Sequence, residues 1–177
     1  ANNLIVPRPP SIVSPDQEWL QQARPDEDEF TKAQRNHRIP RKYLPQQVRY
    51  NSDHPPGTII IDTNARFLYL VLENGKAKRY GVGVGQPGFA WTGIHTVTRK
   101  AKWPDWRPPP EMIARERQRG IILPEHMEGG IKNPLGARAL YLGDTLYRIH
   151  GSNQPWTIGQ AVSSGCFRMR NEDVTDL

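Results

Sequence analysis

From Thr58 onward, apolar and polar residues alternate with the period of two expected of half-buried strands. The run "TIIIDTNARFLYLVLENGKAKRYGVGVG", residues 58–85, predicts two strands joined at "ENGK", an Asn-Gly hairpin signal. A third strand element is expected in "GIHTVTRKAKW", residues 93–103, and two more flank the Gly-Asp turn of "ARALYLGDTLYRIHG", residues 137–151. Between these groups lies a stretch rich in Pro, Gly and charge, residues 104–137, with one short helix expected near Glu111 to Arg119. A connection of that length is usually a lid or binding loop. The stretch "NEDVTDL" starts a helix, with Asn171 as its cap and acids in its first turn.

Upstream the period is lost. Residues 1–56 hold nine of the seventeen prolines. "NNLIVPRPPSIVSP" reads as extended linker, "SPDQEWLQQA" as a short helix capped by Ser14, and "RPDEDEFTKAQRNHR" as a second helix. "RIPRKYLPQQVRYNSDHPPG" reads as a proline-interrupted connector. The expected organisation is a proline-rich N-terminal arm with short helices over residues 1–56, packed only loosely on a single domain over residues 57–177. The expected fold class is mainly β: a β-sandwich of mixed sheets with short helices and a lid segment at about residues 104–137.

Composition supports this. Of 177 residues, 36% are hydrophobic and 32 are Gly or Pro, too much punctuation for a helical bundle. The net charge of +6 is spread along the chain, with neither a basic stripe nor an aromatic platform, so nucleic acid is not an expected partner. No apolar run approaches the roughly 18 residues needed to span a bilayer. No signal peptide is visible at "ANNLIVPRPP", which leaves the compartment open.

Two motifs carry no expectation. "GVGQPG", Gly83 to Gly88, spells G-x-G-x-x-G, but Pro87 and the strand that follows are wrong for a phosphate-binding helix start. The five histidines lack metal-ligand spacing, so neither a metal nor a cofactor is expected.

The only cysteine, Cys166, lies sixteen residues after His150 in "IHGSNQPWTIGQAVSSGCFRMRNEDV". Acyl transfer through a thiol needs a base to deprotonate it, a group to orient that base, and donors for the oxyanion. His150 closes a strand. Gly151 leaves room beside it, and the carbonyls of Gly151 or Ser152 can hold its second ring nitrogen. The turn "SSGC" lets the N–H groups of Gly165 and Cys166 converge on an oxyanion. Arg168 and Arg170 can grip a carboxylate. An inert buried cysteine is the alternative, because the pair acts only if the two residues meet in space.

The same residues resemble the signature of the L,D-transpeptidase catalytic domain, the YkuD-like family: a His-Gly pair, then Ser/Thr-x-Gly-Cys-aliphatic-Arg and an Asn/Asp-rich helix start. "NPLGARALYL" and "GVGVGQPGFAWTGIHTV" also resemble that family, and the resemblance covers roughly residues 57–177. It implies Cys166 as nucleophile and His150 as base. Gly165, Ser164, Ser163, Gly151 and Ser152 would support the oxyanion pocket, and Arg168, Asn153, Tyr141 and Trp106 would contact substrate. Two departures stand out: many members carry a second histidine where this chain has Ser164, and Phe167 replaces the usual Ile or Val.

The implied substrate is a peptidoglycan stem tetrapeptide ending in diaminopimelate–D-alanine, in the periplasm or cell envelope of a bacterium. Cys166 would form a thioester and release D-alanine. An amine of a second stem would then give a 3→3 cross-link, whereas a lysine of a lipoprotein or outer-membrane protein would give wall anchoring. The alternatives are an L,D-carboxypeptidase, in which water resolves the thioester, and a non-catalytic wall-binding module. A monomer is the expected state.

Overall fold

Residues 3–7 and 29–177 are described by the computed structural model. In chain order come β1 (Asn3–Pro7), α1 (Glu29–Asn36), a 3-10 turn (Arg41–Tyr43) and β2 (Gln46–Arg49). Then follow β3 (Thr58–Asp62), β4 (Phe67–Leu72), β5 (Lys76–Gly81), β6 (Val84–Gly85), β7 (Gly93–Ile94) and β8 (Val97–Lys102). Helix α2 (Pro110–Gln118) precedes β9 (Arg138–Leu142), β10 (Arg148–His150), β11 (Ala161–Ser163), β12 (Phe167–Arg168) and α3 (Asn171–Asp176). The protein is mainly β, with mixed sheets and few, short helices.

A six-stranded sheet runs β2-β5-β4-β3-β1-β7, a four-stranded sheet runs β12-β10-β9-β8, and β11 pairs with β6. Ile59, Ile61, Leu68, Leu70 and Tyr80 of the first meet Leu140, Leu142, Ile149 and Phe167 of the second, with Val82, Met169 and Val174 beside them. All are buried. This shared apolar layer is the core, and its burial is the main stabilising term.

The stretch read as two strands contains four, β3 to β6. At "DTNAR" the Asp62 carboxylate accepts the N–H groups of Asn64 and Ala65 (3.0 and 2.9 Å), and Arg66 takes φ 61°. This Asx turn reverses the chain between β3 and β4 without glycine or proline. The Asn-Gly turn forms as expected, with Asn74 and Gly75 both at positive φ. "GVGQPG" is β6 and the turn after it, and no helix opens there.

The arm contributes more structure than loose packing would. Strand β1 pairs antiparallel with β3 (Ile5↔Ile60), and β2 pairs antiparallel with β5 (Val48↔Ala77). Tyr43 lies against Gly81 and Gly159, where an added Cβ would collide with it. The prolines at 40 and 45 delimit the segment and leave a strand-length run between 45 and 55. The second expected helix is present as α1, and the one expected at residues 14–23 lies outside the described residues. No helix among the described residues is long and apolar enough to cross a membrane.

Candidate functional site

Strands β10 and β12 pair in parallel, with Ile149 opposite Phe167 and His150 opposite Arg168. Side chains alternate across a strand, so Arg148 and His150 share a face with Arg168 and with Cys166, the residue just before β12. All four line one cleft of about 560 Å³. The parallel register, not proximity in the chain, brings thiol and imidazole to one place.

His150 is buried, and its Nδ1 lies 2.5 Å from the carbonyl oxygen of Gly151. A carbonyl only accepts, so Nδ1 carries the proton and Nε2 keeps its lone pair. Of the two carbonyls the sequence offered, that of Gly151 holds the ring. Burial first, then the nearby Arg168 and Arg148 guanidinium groups, push the imidazole down to about 3, against the Gly151 hydrogen bond. Burial likewise pushes the Cys166 thiol up, opposed by the charge and hydrogen bonding of Arg148 and by Arg168. Cys166 is half-buried, with Sγ 3.7 Å from the Leu146 carbonyl. The resting pair is therefore a neutral thiol beside a neutral base.

The turn before the cysteine is braced internally. Ser163 Oγ donates to the Cys166 carbonyl (2.6 Å) and accepts the Gly165 N–H (3.1 Å). The expectation that the Gly165 and Cys166 amides converge on an oxyanion is therefore corrected. The Gly165 N–H is spent on Ser163, and the Cys166 N–H is the donor without a partner among the described residues.

The remaining expected residues divide. Arg168 lines the cleft, anchored through Nη1 to Gln154 Oε1 (3.2 Å). Trp106 is buried in the cleft wall. Ser164 faces the cleft and accepts a bond from Arg115 Nη2 of α2 (2.9 Å). Asn153 reaches the cleft, but its Nδ2 donates to the Lys132 carbonyl (2.8 Å), tying it to the end of the lid. Ser152 is buried; its Oγ accepts the Gln154 N–H (2.9 Å). Gly151 leaves no room for a Cβ, which would meet Asn171 Oδ1.

Three residues fall elsewhere than expected. Tyr141 is not in the cleft wall: it pairs with Arg148 across β9 and β10, and the Arg99 and Arg148 guanidiniums lie over its ring at 3.6 and 5.3 Å. Arg170 grips no free space either, because Asp173 takes its Nε and Nη2 at 2.8 and 2.6 Å. Asn171 is the first residue of α3 and does not cap it. Its Oδ1 instead accepts the N–H groups of Ala137 (2.9 Å) and Ser152 (3.1 Å), joining the end of the 104–137 segment to the loop after His150.

Sequence reasoning missed Arg148, although it lies two residues before His150 on a strand and so must share its face. Its Nε is buried without a partner, and neither Arg148 nor Arg168 has a carboxylate partner among the described residues. It also missed Arg115, Phe89 and Trp91, which reach the site from distant segments.

Such a cleft, with a thiol, a neutral imidazole and guanidiniums that meet no carboxylate among the described residues, has the parts of a cysteine acyl-transfer site. The model of the L,D-transpeptidase catalytic domain, YkuD, matches residues 56–177, and the chain belongs to that family. It is 37% identical over 138 residues to the probable L,D-transpeptidase YbiS of Escherichia coli K12, covering 76% of this chain and 44% of that protein. To the probable L,D-transpeptidase ErfK/SrfK of the same strain it is 34% identical, with the same coverage. The chain thus spans less than half the length of these relatives. It also resembles a crystal structure of a probable carnitine operon oxidoreductase, caia, from Brucella melitensis. That match has 48% identity and a TM-score of 0.56, and covers 78% of this chain and 88% of the other.

Proposed function

We propose that the protein is a peptidoglycan L,D-transpeptidase of the bacterial periplasm or cell envelope, with Cys166 as nucleophile and His150 as general base. The observation that carries this reading is the tautomer of His150. With Nδ1–H committed to the Gly151 carbonyl, Nε2 is the basic nitrogen left for the cleft that Cys166 also lines.

The chemistry then runs as follows. His150 Nε2 takes the Cys166 proton as Sγ bonds to the carbonyl carbon of the L-centre of diaminopimelate, and the carbonyl electrons move onto its oxygen. The Cys166 N–H donates to that oxyanion. On collapse the C–N bond to D-alanine breaks, and the imidazolium returns the proton to the leaving amine. An incoming amine reverses the sequence, forming a C–N bond as the thioester breaks. Arg148 and Arg168 supply positive charge suited to the carboxylates of a stem peptide.

The lid bears on the fate of the thioester. Residues 104–137 include α2, which brings Arg115 onto Ser164, and the buried Asn133. Asn133 Nδ2 donates to the carbonyls of Pro104, Met127 and Glu128 (3.0 to 3.2 Å). A lid anchored at its base and closed over the cleft would keep water from the thioester until an amine arrives. Transfer to an amine, either a 3→3 cross-link or protein anchoring, is therefore favoured over hydrolysis. The redox name of the Brucella relative finds no support in the glycine motif, which opens no helix. Incubating a purified disaccharide-tetrapeptide with the protein and with Cys166→Ala tests the reading by chromatography. Cross-linked dimers and free D-alanine should appear only with the unmodified chain. D-alanine without dimers in the presence of acceptor stems would replace cross-linking by trimming.

A further inference from the structure

One hydrogen bond at the site has no role yet in this chemistry. Trp91 Nε1 donates to the carbonyl oxygen of Gly165 at 2.8 Å, across 74 positions of sequence. That carbonyl belongs to the peptide unit whose N–H is Cys166's. The unit is planar, with C=O and N–H pointing in opposite directions. Whatever fixes the carbonyl therefore aims the amide.

Trp91 is itself held in place. Its ring stacks on Tyr147 at 4.2 Å and 16°, leans on Phe167 at 5.5 Å, and packs against the core. Tyr147 closes the other approach. A Cβ on Gly165 would lie 2.5 Å from its ring, and the glycine sits at φ 112°, where other residues are strained. Position 165 thus accepts only glycine, and the indole N–H bonds to the carbonyl that this backbone presents. Hydrogen bonding to the carbonyl also polarises the amide and makes its N–H a stronger donor.

We propose that Trp91 is a positioning residue for the oxyanion: through the Gly165 carbonyl it aims and polarises the Cys166 N–H at the developing negative charge. This rests on the reading of Cys166 as an acylating nucleophile. It separates two properties of the site, the reactivity of the thiol and the stabilisation of the tetrahedral intermediate. Arg148 and His150 serve the first, Trp91 the second.

The test compares the unmodified chain with Trp91→Phe and with a chain carrying benzothienylalanine at position 91, which keeps the bicyclic ring and lacks only the N–H. Two reactions of Cys166 are followed by intact-protein mass spectrometry: acylation by the disaccharide-tetrapeptide and alkylation by iodoacetamide, which forms no oxyanion. Losing a whole oxyanion donor costs roughly 10²–10³ in kcat. Loosening one predicts about a tenfold fall in the acylation rate constant for both variants, with KM and alkylation within about twofold. The benzothienyl variant keeps the test available if Trp91→Phe folds poorly. Unchanged acylation in that variant overturns the inference and leaves the nucleophile assignment standing. An equal fall in alkylation also overturns it, since the thiol itself would then be disturbed. No acylation of the unmodified chain, with alkylation intact, overturns the proposed function and this inference with it.

Discussion

His150 donates through Nδ1 to the carbonyl of Gly151, the residue that follows it, so the base is oriented by its own backbone and not by an acidic side chain. Among the described residues no carboxylate meets the ring, which is buried beside the Arg168 and Arg148 guanidiniums. A neutral pair follows. Alkylation of Cys166 should rise with pH along a single curve whose midpoint lies above the ordinary thiol value of about 8.5. A plateau of reactivity between pH 5 and 7 would mean a preformed thiolate–imidazolium pair and would contradict the assignment.

The same burial makes stability depend on acidity. The unfolded chain protonates His150 near 6.5, whereas the folded chain resists until about 3. Between those values the unfolded state binds the extra proton, so stability from this group is complete above 6.5 and is lost as pH falls. The slope is about 1.4 kcal/mol per pH unit at most. Urea unfolding of the native chain and of His150→Gln across pH 4–7 should show the variant with the shallower slope.

Arg148 lines the cleft beside the thiol, where the proposed stem peptide would bind. Its charge and hydrogen bonding oppose the upward shift of the thiol, and its Nε is buried without a partner. Arg148→Gln should therefore raise the apparent thiol pKa further. KM for the donor stem should rise about tenfold, the loss expected for one charge-assisted hydrogen bond. Arg148→Lys should recover the charge effect on the thiol but little of the KM, because an ammonium lacks the planar fork.

Arg115 spans from the lid helix to Ser164 (2.9 Å), with its guanidinium 5.0 Å from the centre of the Phe89 ring. Arg115→Ala and Ser164→Ala remove the same bond. Each should raise the ratio of hydrolysis to transfer several-fold, and the double variant should add little to either. Additive effects would show that the two residues act separately.

Asn171 accepts two backbone N–H groups, from Ala137 and Ser152, that no other described group takes. Asn171→Ala leaves both without an acceptor and should cost about 2–4 kcal/mol in denaturant unfolding. Asn171→Asp keeps the acceptor and should cost much less.

The legible parts of the sequence were those governed by local periodicity and spacing. β4, β5, β9 and β10 follow from alternation, and Asn74-Gly75 from the only turn chemistry that two positive φ angles allow. That Cys166 and His150 line one cleft agrees with the family spacing: His150 ends β10, Cys166 immediately precedes β12, and the parallel register of those strands needs a connection of some length. The turn at "DTNAR" was not legible: Asp62 and Asn64 favour turns, but the segment carries no glycine or proline to mark a reversal inside an apolar-polar alternation. Nor was the spending of the Gly165 amide on Ser163, or the reach of Trp91 and Arg115 to the cysteine turn. The Gly165–Ser163 bond is a local turn detail, whereas the Trp91 and Arg115 bonds are tertiary contacts across 74 and 49 positions of sequence. The β9–β10 register puts Tyr141 on the face of Arg148, but the Arg99 and Arg148 guanidiniums lie over its ring, a tertiary arrangement that spacing does not reveal.

The central claim is that the thiol of Cys166 carries the acyl group. Intact-protein and peptide mass spectrometry after brief, acid-quenched incubation with a disaccharide-tetrapeptide tests it most directly. The account predicts an adduct on the peptide containing Cys166, equal to the stem less D-alanine, removed by hydroxylamine and absent from Cys166→Ala. Turnover of the stem by Cys166→Ala at the unmodified rate would contradict it.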